Sequence, residues 1–190
     1  RQPRPGDWTS VIGRVRDAVP EAVLVLATHA ALCDLPQALR RPPPGVRLIR
    51  AESFAVVRDL LQVADVALCP RREWSGFPMK LLNYMAAAKA VVVSAGSAKA
   101  VQHGLNGWIV PDGSVEAYAQ AIVRLLVDPP LRAALGAAAR RTVEDEYGWE
   151  HMLDRVEATY ERVLARRGRA VEVAAGGAAR LRALRTARAE

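Results

Sequence analysis

Apolar residues recur along this chain with two alternating periods. Val11, Ile12, Val15 and Val19 fall on one face of a helical spacing that opens at Trp8 and stops at Pro20, predicting a helix over Trp8–Val19. Ala22–Thr28 (A-V-L-V-L-A-T) is continuously apolar and too short for a helix, which is how a parallel strand buried on both faces reads. The Pro-rich link R-R-P-P-P-G leads to a second strand, Val46–Arg50. Phe54–Val63 reads as a helix and Asp65–Cys69 as a third strand. The loop P-R-R-E-W-S-G then precedes a helix from about Phe77 to Ala88. Ala90–Ser94 and the short Trp108–Val110 complete the strands. Beyond Pro111 the pattern is helical: Ser114 caps a run to Val127, D-P-P-L-R restarts one to about Glu146, and Trp149–Arg166 closes the series.

Strands alternating with helices of about 10–15 residues predict an α/β fold, a Rossmann-like doubly wound parallel sheet with right-handed crossovers, followed by C-terminal helices. The order departs from that pattern once. The chain opens on a helix where a doubly wound half opens on a strand, so the first strand and its loop are expected to be missing from this end. The expected organisation is one domain over residues 1–165 and a basic tail over 166–190, whose A-A-G-G-A-A run and sparse apolar residues read as frayed or disordered.

Charge sharpens this division. The 190 residues carry a formal +7, and seven arginines against two acids place +5 of it in Arg166–Glu190. The body is close to neutral, so the basic balance belongs to the tail and does not predict nucleic-acid binding. With 51% hydrophobic and 25% charged residues, the composition excludes collagen-like, disordered and disulfide-scaffold classes. Only Lys80, Lys89 and Lys99 among the 27 basic residues are lysine, a bias that with the heavy alanine content suggests a GC-rich bacterial genome. Cys33 and Cys69 make no framework, and Cys69 in D-V-A-L-C-P reads as a buried thiol. No C-x-x-C, H-E-x-x-H or histidine cluster supports a metal site. The apolar runs are far shorter than the ~18–20 residues of a membrane helix, and R-Q-P-R-P-G-D-W has no apolar signal core. A soluble, cytoplasmic domain is expected.

Candidate chemistry concentrates where the third strand feeds the next helix. In open α/β sheets ligands bind beyond the carboxyl ends of the strands, where loops meet helix amino termini. Ser75-Gly76 allows a tight turn, Pro78 suits the first helical turn, and the free N–H groups there suit a phosphate or diphosphate. Lys80 adds a positive charge within about one turn. Met79 and Asn83, spaced i, i+4, share the ligand-side face, while Leu81, Leu82 and Met85 face the sheet. Taken alone, this spacing equally fits a plain tight loop and a solvated Asn83.

The run S-G-F-P-M-K-L-L-N-Y-M-A-A-A-K-A-V-V-V-S (Ser75–Ser94) resembles the signature E-G-F-G/P-x-x-x-x-E-A/Y-M-A-x-G-x-P-V-V-A-S of family 4-type GT-B glycosyltransferases, glycosyl transferases group 1. The likeness continues through A-G-S-A-K-A-V-Q-H-G-L-N-G-W-I-V-P-D (Ala95–Asp112), which is similar to the family's G-G-x-x-E-x-V-x-x-G-x-N-G-x-L-V-P. It extends through Ala121–Arg140 and closes on Y-G-W-E-H-M-L-D-R-V-E-A-T-Y (Tyr147–Tyr160), covering roughly residues 8–165.

The resemblance implies the donor-binding C-terminal half of a GT-B enzyme, facing an N-terminal acceptor domain that is missing here. It implies transfer of a sugar from a nucleotide-diphosphate sugar to an acceptor with retention, on the donor's front face and with the leaving diphosphate assisting. It further implies a donor diphosphate and sugar site at Ser75, Gly76, Phe77, Pro78, Met79 and Lys80, and a ribose contact at Asn83. Glu52 and Ser53 after the second strand, with His29 after the first, are candidate base contacts. The nucleotide sugar is a co-substrate, and no metal or other cofactor is expected. Ser75 and Asn83 stand where the family carries two glutamates, Ala88 and Ala90 where it carries Gly and Pro, and Lys99 where it carries an acid. Asn83 can hold a ribose diol through neutral hydrogen bonds of about 1 kcal/mol each. The family's basic pair belongs to the missing loop, so the fragment by itself is expected to be inactive. The alternative reading is a degenerate, non-catalytic module that binds a nucleotide or a partner. Weak contact of the Arg-rich tail with an anionic membrane face is a further expectation; nucleic acid is not an expected partner.

Overall fold

The computed structural model describes residues 5–30, 41–70 and 78–167. Ser75, Gly76 and Phe77, Cys33, Glu73 and Trp74, and the tail beyond Arg167 lie outside the described residues. The chain divides into two compact units, Arg1–Val143 and Glu144–Glu190.

In the first unit α1 (Pro5–Ala18) places Val11, Ile12 and Val15 in the core. β1 (Leu24–Thr28) and β2 (Val46–Arg50) follow, paired in parallel with Leu24 opposite Val46 and Thr28 opposite Arg50. α2 (Phe54–Val63) returns the chain to β3 (Val66–Cys69). α3 (Met79–Ala86) leads to β4 (Ala90–Ser94), which is buried at all five positions, and a 3-10 turn (Ala95–Ser97) leads on toward β5 (Trp108–Val110). β3, β4 and β5 form a second parallel sheet, with Val66 opposite Ala90 and Val92 opposite Trp108. The periodicity predicts one continuous sheet; among the described residues the parallel strands lie in two, ordered β1-β2 and β3-β4-β5.

One core nevertheless runs under both sheets. Leu24 and Leu26 of β1, Val46 of β2, Val66 and Leu68 of β3 and Val92 of β4 pack with α1 and with α4 (Val115–Val127). Tyr118 of α4 meets the Trp8 ring edge-on at 5.5 Å, and Arg14 pairs with Glu116 at 2.7 Å. Ser114 caps α4 as its spacing predicts, its hydroxyl accepting the Ala117 N–H at 3.1 Å. α5 (Pro129–Glu146) starts on Asp128, whose carboxylate accepts the Leu131 N–H, and buries Leu135, Gly136 and Ala139.

The second unit contains α6 (Trp149–Arg167). Trp149 and Tyr160 are 50% and 63% exposed. They share a helical face with the exposed Met152, Val156 and Val163. Among the described residues no helix is long and apolar enough to cross a membrane.

Candidate donor-binding site

Parallel pairing gathers the carboxyl ends of the strands of each sheet at one edge, so the segments that follow the strands are neighbours there. After β3 the described chain resumes at Pro78, which is buried at the amino end of α3. Leu81 and Met85 are fully buried toward the sheet, as their spacing predicts, and Leu82 is half-buried. That packing turns the opposite face outward: Met79 is 64% exposed, and Lys80 and Asn83 are exposed one turn apart. Among the described residues neither the Lys80 ammonium nor the Asn83 amide is engaged in a hydrogen bond or ion pair. A cation, a two-way hydrogen-bonding amide and free helix N–H groups can together hold a diphosphate and a vicinal diol.

The other expected contacts sit on segments that follow β1 and β2. His29 is exposed immediately after β1, where the Thr28 hydroxyl accepts the Ala30 N–H at 3.1 Å. Glu52 is exposed and pairs with Arg50 at 3.3 Å, which leaves its carboxylate able to accept further bonds. Ser53 is the N-cap of α2, yet its hydroxyl makes no capping bond. His29, Glu52 and Ser53 thus stand beyond strands of one sheet, whereas Lys80 and Asn83 stand beyond a strand of the other.

Several residues that organise this edge carry no local sequence signal. The Tyr118 hydroxyl donates to the Cys69 carbonyl at 3.3 Å, so the Ser94 hydroxyl, 2.8 Å away, donates to Tyr118. One phenol thereby ties together the carboxyl ends of β3 and β4. Asp112, which has no evident partner in the sequence, accepts the Gly96 N–H at 3.1 Å and steadies the turn after β4. Asn106 is buried with its amide satisfied: the oxygen accepts from Gln102 N at 2.7 Å, and the nitrogen donates to Ala100 O and the Thr142 hydroxyl. His103 belongs to a loop rather than a helix; its Nδ1 accepts the Ile109 N–H, and its ring lies 4.7 Å from that of Trp108. Cys69 is a buried thiol. Burial raises the pKa of the neighbouring Tyr84 hydroxyl above its usual value, and Cys69 adds to that rise. The described residues hold no group of three or more acidic, His or Cys side chains suited to a metal.

The family model for glycosyl transferases group 1 matches residues 9–128. Alpha-maltose-1-phosphate synthase of Mycolicibacterium smegmatis is 31% identical over 165 residues, which are 77% of this chain and 42% of that protein. The C-terminal domain of LpcC, a glycosyl transferase group 1 family protein of Francisella tularensis, superposes with a TM-score of 0.65 at 19% identity, over 75% of this chain and 78% of that one. Anabaena HepE, solved in complex with UDP and glucose, superposes with a TM-score of 0.64 at 17% identity, over 79% of this chain and 44% of that one. This chain spans less than half the length of the curated relatives it matches. Its α/β fold of parallel sheets and C-terminal helices is that of the C-terminal GT-B domain, and the chain belongs to the glycosyl transferases group 1 family.

Proposed function

We propose that this chain is the nucleotide-sugar-binding half of a retaining glycosyltransferase, and that it does not turn over without the acceptor half. One observation carries the reading. α3 holds Lys80 and Asn83 exposed and uncommitted, one turn apart at its amino end, beyond the carboxyl edge of β3. The donor diphosphate lies against the residues from Ser75 to Lys80, with Lys80 balancing the charge that develops on the leaving group. Asn83 takes the ribose hydroxyls, while Glu52, Ser53 and His29 stand toward the base. In the transfer the bond from the anomeric carbon to the diphosphate oxygen breaks. The acceptor oxygen bonds to the same face of that carbon, and its proton passes to the departing diphosphate. Since the protein supplies orientation and charge stabilisation and no nucleophile, replacing two family carboxylates with Ser75 and Asn83 weakens donor grip without removing a reacting group. We place the whole protein in the cytoplasm, with the arginines of residues 166–190 giving a weak attraction to an anionic membrane face.

Thermal unfolding of the 190-residue chain with UDP, GDP and ADP, beside Asn83→Ala and Lys80→Ala variants, tests the site. A nucleotide at about 100 times its dissociation constant adds ~2.7 kcal/mol of stability. One base should shift the melting point selectively, and Asn83→Ala should weaken that nucleotide about five- to tenfold, the equivalent of ~1 kcal/mol. A folded chain whose melting point no nucleotide moves argues for the degenerate, non-catalytic module.

A further inference from the structure

Charge in the second unit is sorted by position. Between Glu144 and Glu161 seven acids stand against one arginine, Arg155, a formal −6. Between Arg162 and Glu190 eight arginines stand against two acids, a formal +6. The unit is neutral as a whole, with its acidic and basic halves separated along the chain. α6 carries a second unbalanced feature. Trp149, Met152, Val156, Tyr160 and Val163, spaced three and four apart, make one continuous apolar stripe, and each is between 38% and 63% exposed. A cleft of about 580 Å³ is lined by Met152, Val156, Tyr160 and Val163 of this stripe, together with Tyr147. Apolar surface of this extent marks a docking face. Three residues before Tyr160, Glu157 keeps its Oε1 buried and without a hydrogen-bond partner among the described residues, which calls for a cationic donor.

We propose that residues 168–190 fold back as an antiparallel helix, seat Leu181 and Leu184 on the apolar stripe of α6, and pair their arginines with its acids. These residues lie outside the described ones, and their sequence fits the stripe in length, pattern and charge. Gly168 follows the last residue of α6, and Gly176-Gly177 comes a few residues later, so the chain can reverse here. Ala178–Glu190 is built largely from alanine, arginine and leucine, all strong helix formers, and spans ~20 Å as a helix. Trp149 to Val163 covers ~21 Å along α6, so the two lengths match. Leu181 and Leu184 fall on one helical face, with Arg180, Arg182, Arg185 and Arg188 around them. An antiparallel course carries these arginines over the acidic half of the unit, where Glu157 lacks its donor. A second copy lying antiparallel would offer the same charges. The tail, however, is tethered to α6 and meets the stripe at an effective concentration of roughly millimolar. Docked in this way, its charge is largely neutralised within the unit, which keeps the attraction to an anionic membrane weak.

Nuclear magnetic resonance of the methyl-labelled 190-residue chain tests the docking without any nucleotide, so its outcome is separate from that of the donor-site reading. Cross-relaxation is expected between the methyl groups of Leu181 and Leu184 and those of Met152, Val156 and Val163. The amides of Ala178–Arg188 should exchange at least about tenfold more slowly than in an unstructured peptide. Leu181→Asp combined with Leu184→Asp should remove both signals while the spectrum of residues 5–143 stays that of the parent. Exchange of Ala178–Arg188 at the free-peptide rate overturns the proposal. Cross-relaxation found only between differently labelled chains in a mixed sample also overturns it, in favour of a second copy on the stripe. Protection that arises only when phosphatidylglycerol vesicles are added overturns it as well, and makes the membrane face the partner of the tail.

Discussion

Ala88 adopts φ +54°, a left-handed conformation that favours glycine, at the position where the family signature carries one. Its cause is the end of α3: the Ala88 N–H reaches Met85 O at 2.9 Å and the Lys89 N–H reaches Tyr84 O at 3.1 Å, the two bonds of a Schellman turn. The turn is held from outside as well. A side chain at Gly136 of α5 would place its Cβ 2.2 Å from the Ala88 carbonyl, so the helix approaches this peptide too closely for any larger residue. Ala88→Gly should relieve about 1–2 kcal/mol of left-handed strain and return about 0.4–1 kcal/mol to the unfolded chain's entropy. A net gain of about 0.5–1 kcal/mol, a rise of ~2–3 °C in melting temperature, is the expected result of a calorimetric scan. Lys89, next in sequence, uses its ammonium to cap α2 through Gln62 O at 3.0 Å, a role that its place in the motif does not disclose.

Among the elements, Tyr118 of α4 joins the carboxyl ends of β3 and β4. Tyr118→Phe keeps the edge-on contact with Trp8 but leaves the fully buried Ser94 hydroxyl without its partner, a loss of about 1–3 kcal/mol. Adding Ser94→Ala to that variant should recover part of the loss, because an apolar pair there is less costly than one orphaned hydroxyl. Urea midpoints of the four proteins in this cycle measure the coupling, and equal losses in the single and double variants would sink this account of the clamp. The elements themselves were legible. Each expected strand and helix is present close to where hydrophobic period, Pro20, Ser114 and Asp128 place it, though the first helix opens at Pro5 and the first strand at Leu24, because burial of one face requires that period whatever the neighbours are. The clamp was not legible: Ser94 and Tyr118 lie 24 residues apart, and only the packing of α4 on the sheet brings their hydroxyls together.

For the molecule as a whole, Tyr84 links stability to alkaline pH. Its folded-state pKa is raised above 10.0, by burial first and by Cys69 second, so the folded chain holds this proton more tightly than the unfolded one. The stabilisation is therefore fully present below about pH 10 and is lost as pH rises from there through the raised value. Urea midpoints should fall more steeply between pH 9 and pH 11 in the parent than in Tyr84→Phe. The sequence by itself determined the parallel α/β class, the family and the segment that carries Lys80 and Asn83, since these follow from local periodicity and from motifs contiguous in the chain. Only the tertiary structure decided that, among the described residues, Lys80 and Asn83 are exposed and uncommitted, that Glu52 is paired with Arg50 while the Ser53 hydroxyl makes no cap, and that the strands pair as two sheets. The reason is physical: which side chain is engaged, and which strands pair, depends on partners far along the chain, and no local pattern encodes them.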